Sequence, residues 1–107
     1  MINPVIIRKM TEDEWRNIGT ELYGEDVKAW EFVCPNCKMT LSYNKFMDRR
    51  SEITGKGWEP TTECIGRYLK DVGCNWAAYG LFSGPRELIN TDGSHRAYVF
   101  YFAKEQA

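Results

Sequence analysis

The chain has 107 residues and a formal net charge of −1, which fits one domain and argues against a protein that binds polyanions through its overall charge. Hydrophobic residues make up 43% of it, but its apolar runs stay below the roughly 18 residues that a membrane-spanning helix needs. The first residues also lack the pattern of a secretion signal. We therefore expect a single domain over residues 1–107, in the cytoplasm and without membrane contact.

The N-terminal third predicts an extended arm followed by a helix. Residues 1–9 suit an arm or a short edge strand. Thr11 and Glu14 have the spacing of a capping box, in which each side chain binds the backbone of the other residue. Apolar residues then recur at helical spacing, which predicts an amphipathic helix over residues 12–23 that ends at Gly24.

The middle of the chain predicts a small hairpin followed by two helices. Alternating apolar residues at 29–33 and 39–41 suit two short strands, joined by the motif Cys34-Pro35-Asn36-Cys37. A short helix capped by Ser42 is expected to run to about residue 50. After a loop, a further helix is predicted from Thr61 or Thr62 to a stop at Gly73.

The last third predicts antiparallel sheet. Residues 76–82 suit a buried strand. The segments 87–89 and 97–102 flank a turn that contains Asp92-Gly93, a pair typical of β-hairpins. The expected fold is therefore α+β: a small zinc-stapled domain with a zinc-knuckle hairpin, two or three helices and a C-terminal antiparallel sheet.

Cysteine spacing indicates a metal site. Cys34 and Cys37 are separated by two residues across a tight turn, which is the spacing of a zinc knuckle, and Pro35 stiffens the start of that turn. Thiolate is a soft ligand that Zn²⁺ accepts in tetrahedral geometry. A redox dithiol is the weaker interpretation, because that pair usually opens a helix in a βαβ unit, whereas this one lies between strand-like segments.

The second half of the site depends on Cys64 and Cys74. In one unbroken helix these residues would lie about 15 Å apart along the axis. Sulfur ligands of one zinc ion lie within about 4 Å of each other, so the chain must turn back, through Gly66 or Gly73. We favour the set Cys34, Cys37, Cys64 and Cys74. The alternative leaves Cys64 in the core and takes His95 as the fourth ligand.

A site with four thiolates has no open position for water or substrate, so its zinc is expected to be structural. The sequence also lacks the motifs of nucleophilic or metal-assisted hydrolysis, and His95 is its only histidine. We therefore expect a protein that is not an enzyme.

The best candidate for ligand binding is a basic and aromatic loop. Its residues fall in the stretch 34–70, which carries a net charge of +3. An exposed ring with guanidinium neighbours can stack on a base and hold its phosphate. Alternatively, the ring packs over the zinc site and the arginines are solvated. The residues concerned are Arg49, Arg50, Lys56, Trp58 and Arg67.

Three segments, residues 30–37, 63–67 and 73–81, resemble a family of small proteins encoded in bacteriophage and prophage genomes. The resemblance spans roughly residues 11–82. It implies that the four cysteines act as one set, but it implies no particular activity. Small accessory proteins of phages often bind and inhibit host machinery, including defence systems.

The leading hypothesis is therefore a non-enzymatic binding protein with a structural zinc ion. On the resemblance, it would be a phage accessory protein that binds or inhibits a host factor, including one of host defence, in the host cytoplasm. One alternative is a protein that binds nucleic acid or a nucleotide through the basic and aromatic loop. A second alternative is an enzyme of unrecognised type.

Overall fold

The computed structural model describes residues 8–53, 59–78 and 85–105. It is an α+β fold with two α-helices and two small sheets, as the sequence predicts in outline. No helix in this part of the chain has the length and apolar character needed to cross a membrane. The regular elements are β1 (Lys9–Thr11), α1 (Glu12–Tyr23), β2 (Phe32–Val33), β3 (Thr40–Leu41), α2 (Tyr43–Asp48), β4 (Arg86–Ile89), β5 (His95–Val99) and β6 (Tyr101–Phe102).

Local sequence signals set both ends of α1. The hydroxyl of Thr11 accepts a hydrogen bond from the Glu14 backbone N–H, while the Glu14 carboxylate accepts one from the Thr11 backbone N–H. This arrangement satisfies N–H groups that have no partner inside the helix. The helix ends at Gly24, whose N–H donates to the Thr20 carbonyl oxygen. The predicted helix over residues 12–23 is confirmed.

The first sheet has the strand order β1-β4-β5. Strands β4 and β5 form the predicted C-terminal hairpin, in which Arg86 pairs with Val99 and Glu87 with Tyr98. Strand β1 pairs with β4 in parallel, with Met10 opposite Leu88. The predicted antiparallel pairing at the C-terminal end is confirmed, but the sheet that contains it is mixed, because β1 joins β4 in parallel from the N-terminal end of the chain.

The second sheet, with the order β3-β2-β6, carries the metal-site hairpin. Strands β2 and β3 pair as predicted, with Phe32 opposite Leu41. The third strand, β6, places Phe102 on the other side of Phe32. The predicted strand 97–102 is thus divided between two sheets at Phe100, whose N–H donates to the carbonyl oxygen of Thr61.

The core between helix α1 and the second sheet is aromatic. Trp15, Trp30, Phe32 and Phe102, called here the aromatic cluster, are all buried, and the ring centroids of their contacting pairs lie 5.3 to 6.3 Å apart. Gly19 makes this packing possible, because a Cβ at that position would overlap the ring of Trp30. Large rings in offset and edge contacts give a small domain both buried area and specific geometry.

A buried ion pair fixes the C-terminal residues to the first sheet. The Arg86 side chain is 0% exposed, and its guanidinium donates two hydrogen bonds, of 2.7 and 2.8 Å, to the carboxylate of Glu105. The same guanidinium carbon lies 5.0 Å from the centroid of the Tyr101 ring. A bidentate pair of this kind compensates the cost of burying a charge, which would be large for Arg86 alone.

Residues 59–78 differ most from the sequence-based expectation. The predicted helix from Thr61 or Thr62 to Gly73 is wrong, since this range contains only a three-residue 3₁₀ turn, Ile65–Arg67. Two extended stretches on either side of that turn pair instead: the Cys64 N–H donates to Trp76 and the Ala78 N–H donates to Thr62. Of the predicted strand 76–82, only Ala77 takes part in a bridge, and residues 79–82 lie outside the described range.

Candidate metal centre

Four sulfur atoms from two separate segments meet at one point. The Sγ atoms of Cys34, Cys37, Cys64 and Cys74, called here the cysteine cluster, all lie within 4.8 Å of one another. The Cys34 and Cys74 sulfurs are 3.5 Å apart, and those of Cys37 and Cys64 are 3.7 Å apart. These four residues could hold a metal ion.

The first two sulfurs are positioned by the turn between β2 and β3. The Cys34 N–H donates to the Met39 carbonyl oxygen, and the Lys38 N–H donates to the Cys34 carbonyl oxygen. Lys38 completes the turn with a left-handed backbone, at a φ of 65°. Backbone N–H groups of Asn36 and Cys37 face the Cys34 sulfur. The turn therefore presents both sulfurs and also supplies donors that stabilise a thiolate.

The second two sulfurs meet because the chain folds back between Gly66 and Gly73. A Cβ on Gly66 would overlap the backbone of Cys74, so only glycine allows the two strands of this loop to approach so closely. Gly73 has a φ of +69°, and a Cβ there would lie 2.8 Å from the Cys64 sulfur. The Cys74 N–H then donates to the Cys64 sulfur at 3.3 Å. The chain reversal that the metal site requires is thus present.

Burial and neighbouring groups shift the pKa values of the thiols in the cysteine cluster. Cys34 and Cys64 are 0% exposed, and burial raises the pKa of both thiols, as do the neighbouring sulfurs. Burial also acts to raise the pKa of Cys74, but hydrogen bonds from the Asn36 side chain and the Trp76 backbone outweigh it and lower that pKa to about 7. A divalent cation removes the mutual repulsion of the thiolates and deprotonates such thiols outright.

The donor set fits a tetrahedral thiophilic ion. Metal–sulfur bonds of about 2.3 Å place the sulfurs of a regular tetrahedron about 3.8 Å apart. The 3.5 and 3.7 Å separations across the two cysteine pairs are close to this value. Cys37 is exposed and Cys74 is half-buried, so the site lies at the protein surface with two of its four donors fully enclosed.

His95 lies elsewhere. It begins strand β5, and its Nδ1 atom is 2.6 Å from a carboxylate oxygen of Glu87 on strand β4. Its ring is also close to that of Tyr98, with 4.7 Å between centroids. The alternative in which His95 replaces Cys64 does not agree with this arrangement, because the Cys64 sulfur lies beside that of Cys37.

The arginines of the proposed basic loop contact separate partners. The Arg49 guanidinium binds the carboxylates of Glu52 and Asp71 at 2.7 to 2.8 Å. The Arg50 side chain donates to the Met47 carbonyl oxygen at 3.2 Å. Arg49 and its two carboxylate partners together carry a net charge of −1, so this group does not attract a phosphate.

The other three residues of the predicted loop are Arg67, Lys56 and Trp58. Arg67 donates to the Asn75 carbonyl oxygen at 2.9 Å and lies 3.5 Å from the carboxylate of Glu63. Lys56 and Trp58 lie outside the described residues. A ligand site formed by all five residues therefore stays a prediction.

One contribution to the cysteine cluster was not predicted from the sequence: the Asn36 side chain, inside the knuckle motif, binds the sulfur of Cys74 from the other segment. Next to Cys64 in the chain, Glu63 is buried and accepts a bifurcated hydrogen bond from the Tyr68 hydroxyl, with both carboxylate oxygens at 2.9 Å. An acid five residues before a tyrosine is a weak sequence signal for such a contact.

Comparison with protein-family models gives a match over most of the chain. A family model described as VVA0879-like matches residues 11–103. No curated protein and no solved structure matches. The matched range contains all four cysteines, both helices and the C-terminal hairpin, so it extends beyond the residues 11–82 that resemble phage proteins. The match does not test a phage origin, which stays a prediction.

Proposed function

The chain belongs to the VVA0879-like family, and we propose that it is a non-enzymatic binding protein whose cysteine cluster holds a structural zinc ion. The observation that carries this proposal is the meeting of four thiols from two segments within 4.8 Å. Zinc is the metal of choice because four sulfur donors in a tetrahedron suit Zn²⁺, and because ligand softness excludes calcium and magnesium.

A structural role follows from the number of donors. Four thiolates fill a tetrahedral coordination sphere, so that no position remains for a water molecule or substrate. The ion would join the β2–β3 turn to the loop 64–74, two parts of the chain that are far apart in sequence. Zinc in such sites contributes directly to the free energy of folding.

We propose a protein as the partner, on the strength of the resemblance to phage accessory proteins. Under this proposal the chain acts in the host cytoplasm and binds a host factor, including one of host defence. A small zinc-stapled domain suits that role because its fold does not depend on the partner. Binding of nucleic acid is less favoured, because Arg49 is engaged by two carboxylates.

Metal analysis is the first test. Protein purified without chelators is expected to contain about one equivalent of zinc, bound by four cysteines. Less than half an equivalent would contradict the structural zinc. The His95→Ala variant is the matched control, because it removes the only histidine of the chain and leaves all four cysteines in place, and it should retain full zinc content.

A second experiment tests the class of partner. The zinc-loaded protein, immobilised, should retain one stoichiometric protein from host lysate, and the complex should re-form from purified components. Salt-sensitive binding to oligonucleotides that weakens in Arg50→Ala would instead support nucleic acid as the partner, since phosphate contacts are lost as salt rises. Absence of a stoichiometric protein complex would contradict the protein-binding proposal.

A further inference from the structure

A cavity of about 360 Å³ lies away from the cysteine cluster, and the functional proposal above does not use it. It is bounded by α1, the start of α2, the turn at residues 59–62 and strands β4 and β5. Its volume is in the range of small-molecule sites. Its apolar lining includes Trp15, Val27, Leu88 and Val99.

Two arginines, Arg16 and Arg96, line the same cavity. They share one acid, Glu12: the Arg96 guanidinium lies 3.3 Å from its carboxylate and Arg16 lies 3.9 Å from it. These contacts are long and are not bidentate, and both arginine side chains are half exposed. These two arginines and Glu12, called here the arginine group, therefore carry together an excess of one positive charge.

Two other arginines, Arg86 and Arg49, bind their carboxylate partners more closely than Arg16 and Arg96 bind Glu12. Arg86 makes two short bonds to one carboxylate, and Arg49 makes three bonds of 2.7 to 2.8 Å to two carboxylates. Guanidinium groups prefer such short, paired contacts with carboxylates. Within the described residues, Arg16 and Arg96 thus retain donor capacity that an added carboxylate could use.

A second polar group in the cavity is already satisfied internally. The Tyr43 hydroxyl donates to the Glu59 carboxylate at 2.5 Å, and the Thr61 hydroxyl donates to it at 3.3 Å. Burial and the nearby Glu59 carboxylate raise the pKa of Tyr43, so its hydroxyl stays protonated as a donor. The Glu59 carboxylate balances the excess positive charge of the arginine group, so the cavity has a negative end at Glu59 and a positive end at Arg16 and Arg96, where an anion is expected to bind.

Trp15 contributes an aromatic surface. Its side chain lines the cavity and is almost fully buried, and its indole N–H is fully buried. A ligand in the cavity would therefore contact the apolar part of Trp15 and not its N–H. The indole N–H remains a useful NMR reporter because it belongs to a residue of the cavity wall.

We propose that this cavity binds a small organic carboxylate with an apolar, ring-sized body. The carboxylate binds between Arg16 and Arg96, and the body packs against Trp15, Leu88 and Val99. Glu12 occupies the position of the ligand carboxylate in the free protein and is displaced or shifted on binding. Because none of the cysteines lines the cavity, this site is independent of the zinc proposal, and either can fail without the other.

The test is a titration of zinc-loaded protein with 2-naphthylacetate, followed by NMR of the Trp15 indole N–H and the backbone amides of Ala97 and Val99. Saturable shifts are expected at these positions, and 2-naphthylacetamide, which has the same body without the charge, should bind at least about fivefold more weakly. No saturation up to about 10 mM 2-naphthylacetate would overturn the proposal. Equal binding of the amide would overturn it as well.

Three variants make the test specific. Arg96→Gln should weaken 2-naphthylacetate binding about five- to tenfold, because it removes one charged contact. Glu12→Gln should strengthen binding about threefold, because it removes the competing internal carboxylate. Arg8→Gln, which changes an exposed arginine outside the cavity, is the matched control and should bind as the unchanged protein does. Unchanged affinity in both Arg96→Gln and Glu12→Gln would refute the assignment.

Discussion

The aromatic cluster and the segment 59–78 stabilise the chain in different ways. Around Trp15 and Phe102, ring centroids lie 5.3 to 6.3 Å apart, and a capped helix and paired strands hold the rings in place. Residues 59–78 contain one isolated bridge and a three-residue 3₁₀ turn as their regular structure. The segment also contributes buried side chains such as Ile65 and Leu69 to the core, and its Cys64 and Cys74 belong to the cysteine cluster.

The difference shows what each kind of stabilisation requires. Apolar rings attract one another without strict direction, so many sequences with helical and strand periodicity reach such a core. Residues 59–78 have fewer backbone pairs, and although Ile65, Leu69 and Ala78 are buried, we expect a metal ion to add stability by joining Cys64 and Cys74 to residues distant in the chain. If this comparison holds, substitutions in the two regions should differ in their effect on zinc content as well as on stability.

The largest effect is expected from Cys34→Ser. Structural zinc contributes about 10–16 kcal/mol of apparent binding free energy, comparable with the whole stability of a small domain at about 5–15 kcal/mol. The variant should therefore lose zinc and unfold, as measured by near-UV circular dichroism and metal analysis. A cooperative thermal transition retained near that of the unchanged protein would contradict the structural role.

Phe102→Ala tests the aromatic cluster. Phe102 is 0% exposed and contacts Trp15, Trp30 and Phe32, so the truncation should lower the free energy of unfolding by about 3–5 kcal/mol. Denaturant unfolding measures this change. Because Phe102 is not one of the four cysteines proposed to bind the metal, the fraction that remains folded should keep about one equivalent of zinc. Loss of zinc from folded protein would show that the two regions are not separate.

A matched pair of glycine substitutions sharpens the comparison. Gly66→Ala would press against the backbone of Cys74, and Gly19→Ala would press against the Trp30 ring. Both should cost about 1–3 kcal/mol through overpacking. Only Gly66→Ala should weaken zinc affinity, as measured by competition with a chromogenic chelator. Equal loss of zinc affinity in both variants would show that the metal site responds to general destabilisation.

The smallest effect is expected at the surface group around Arg49. Hydrogen bonds from Arg49 hold the pKa of Glu52 and Asp71 below their ordinary values of 4.5 and 3.8. Lowered pKa values in the folded state add stability above the ordinary values, and this stability is lost as pH falls through the lowered ones. Arg49→Gln should therefore be slightly less stable at pH 7, and its difference from the unchanged protein should shrink in acid and in high salt. A difference that does not change between pH 7 and pH 3 would contradict this origin.

Local signals predicted much of the fold correctly. The capping box at Thr11 and Glu14, the stop at Gly24 and the Ser42 cap of α2 act within one helical turn, so the neighbouring residues suffice to identify them. The Asp92-Gly93 turn between β4 and β5 belongs to the same class. Such features depend little on the rest of the chain.

The predictions that failed depended on distant partners. Residues 64–72 have an apolar stripe at helical spacing, but pairing of the Cys64 and Ala78 backbones with Trp76 and Thr62 excludes a helix there. Likewise, the alternating run 97–102 is divided at Phe100 because its N–H binds Thr61 instead of continuing one ladder. Periodicity shows which face of a segment is apolar, but it does not show which other segment competes for its hydrogen bonds.

The four cysteines show which properties of the site follow from the sequence and which follow from the fold. The sequence by itself predicted the kind of site, because four thiols with one two-residue spacing favour a tetrahedral soft metal ion whatever the surrounding fold. Only the tertiary structure decided that Cys64 and Cys74 reach the knuckle, through the close approach of Gly66 to Cys74. It also decided that Arg16, Arg96 and Trp15 line one cavity, since their positions depend on packing between α1 and β5. Ligand chemistry depends on residue type, whereas convergence in space depends on contacts between residues far apart in the chain.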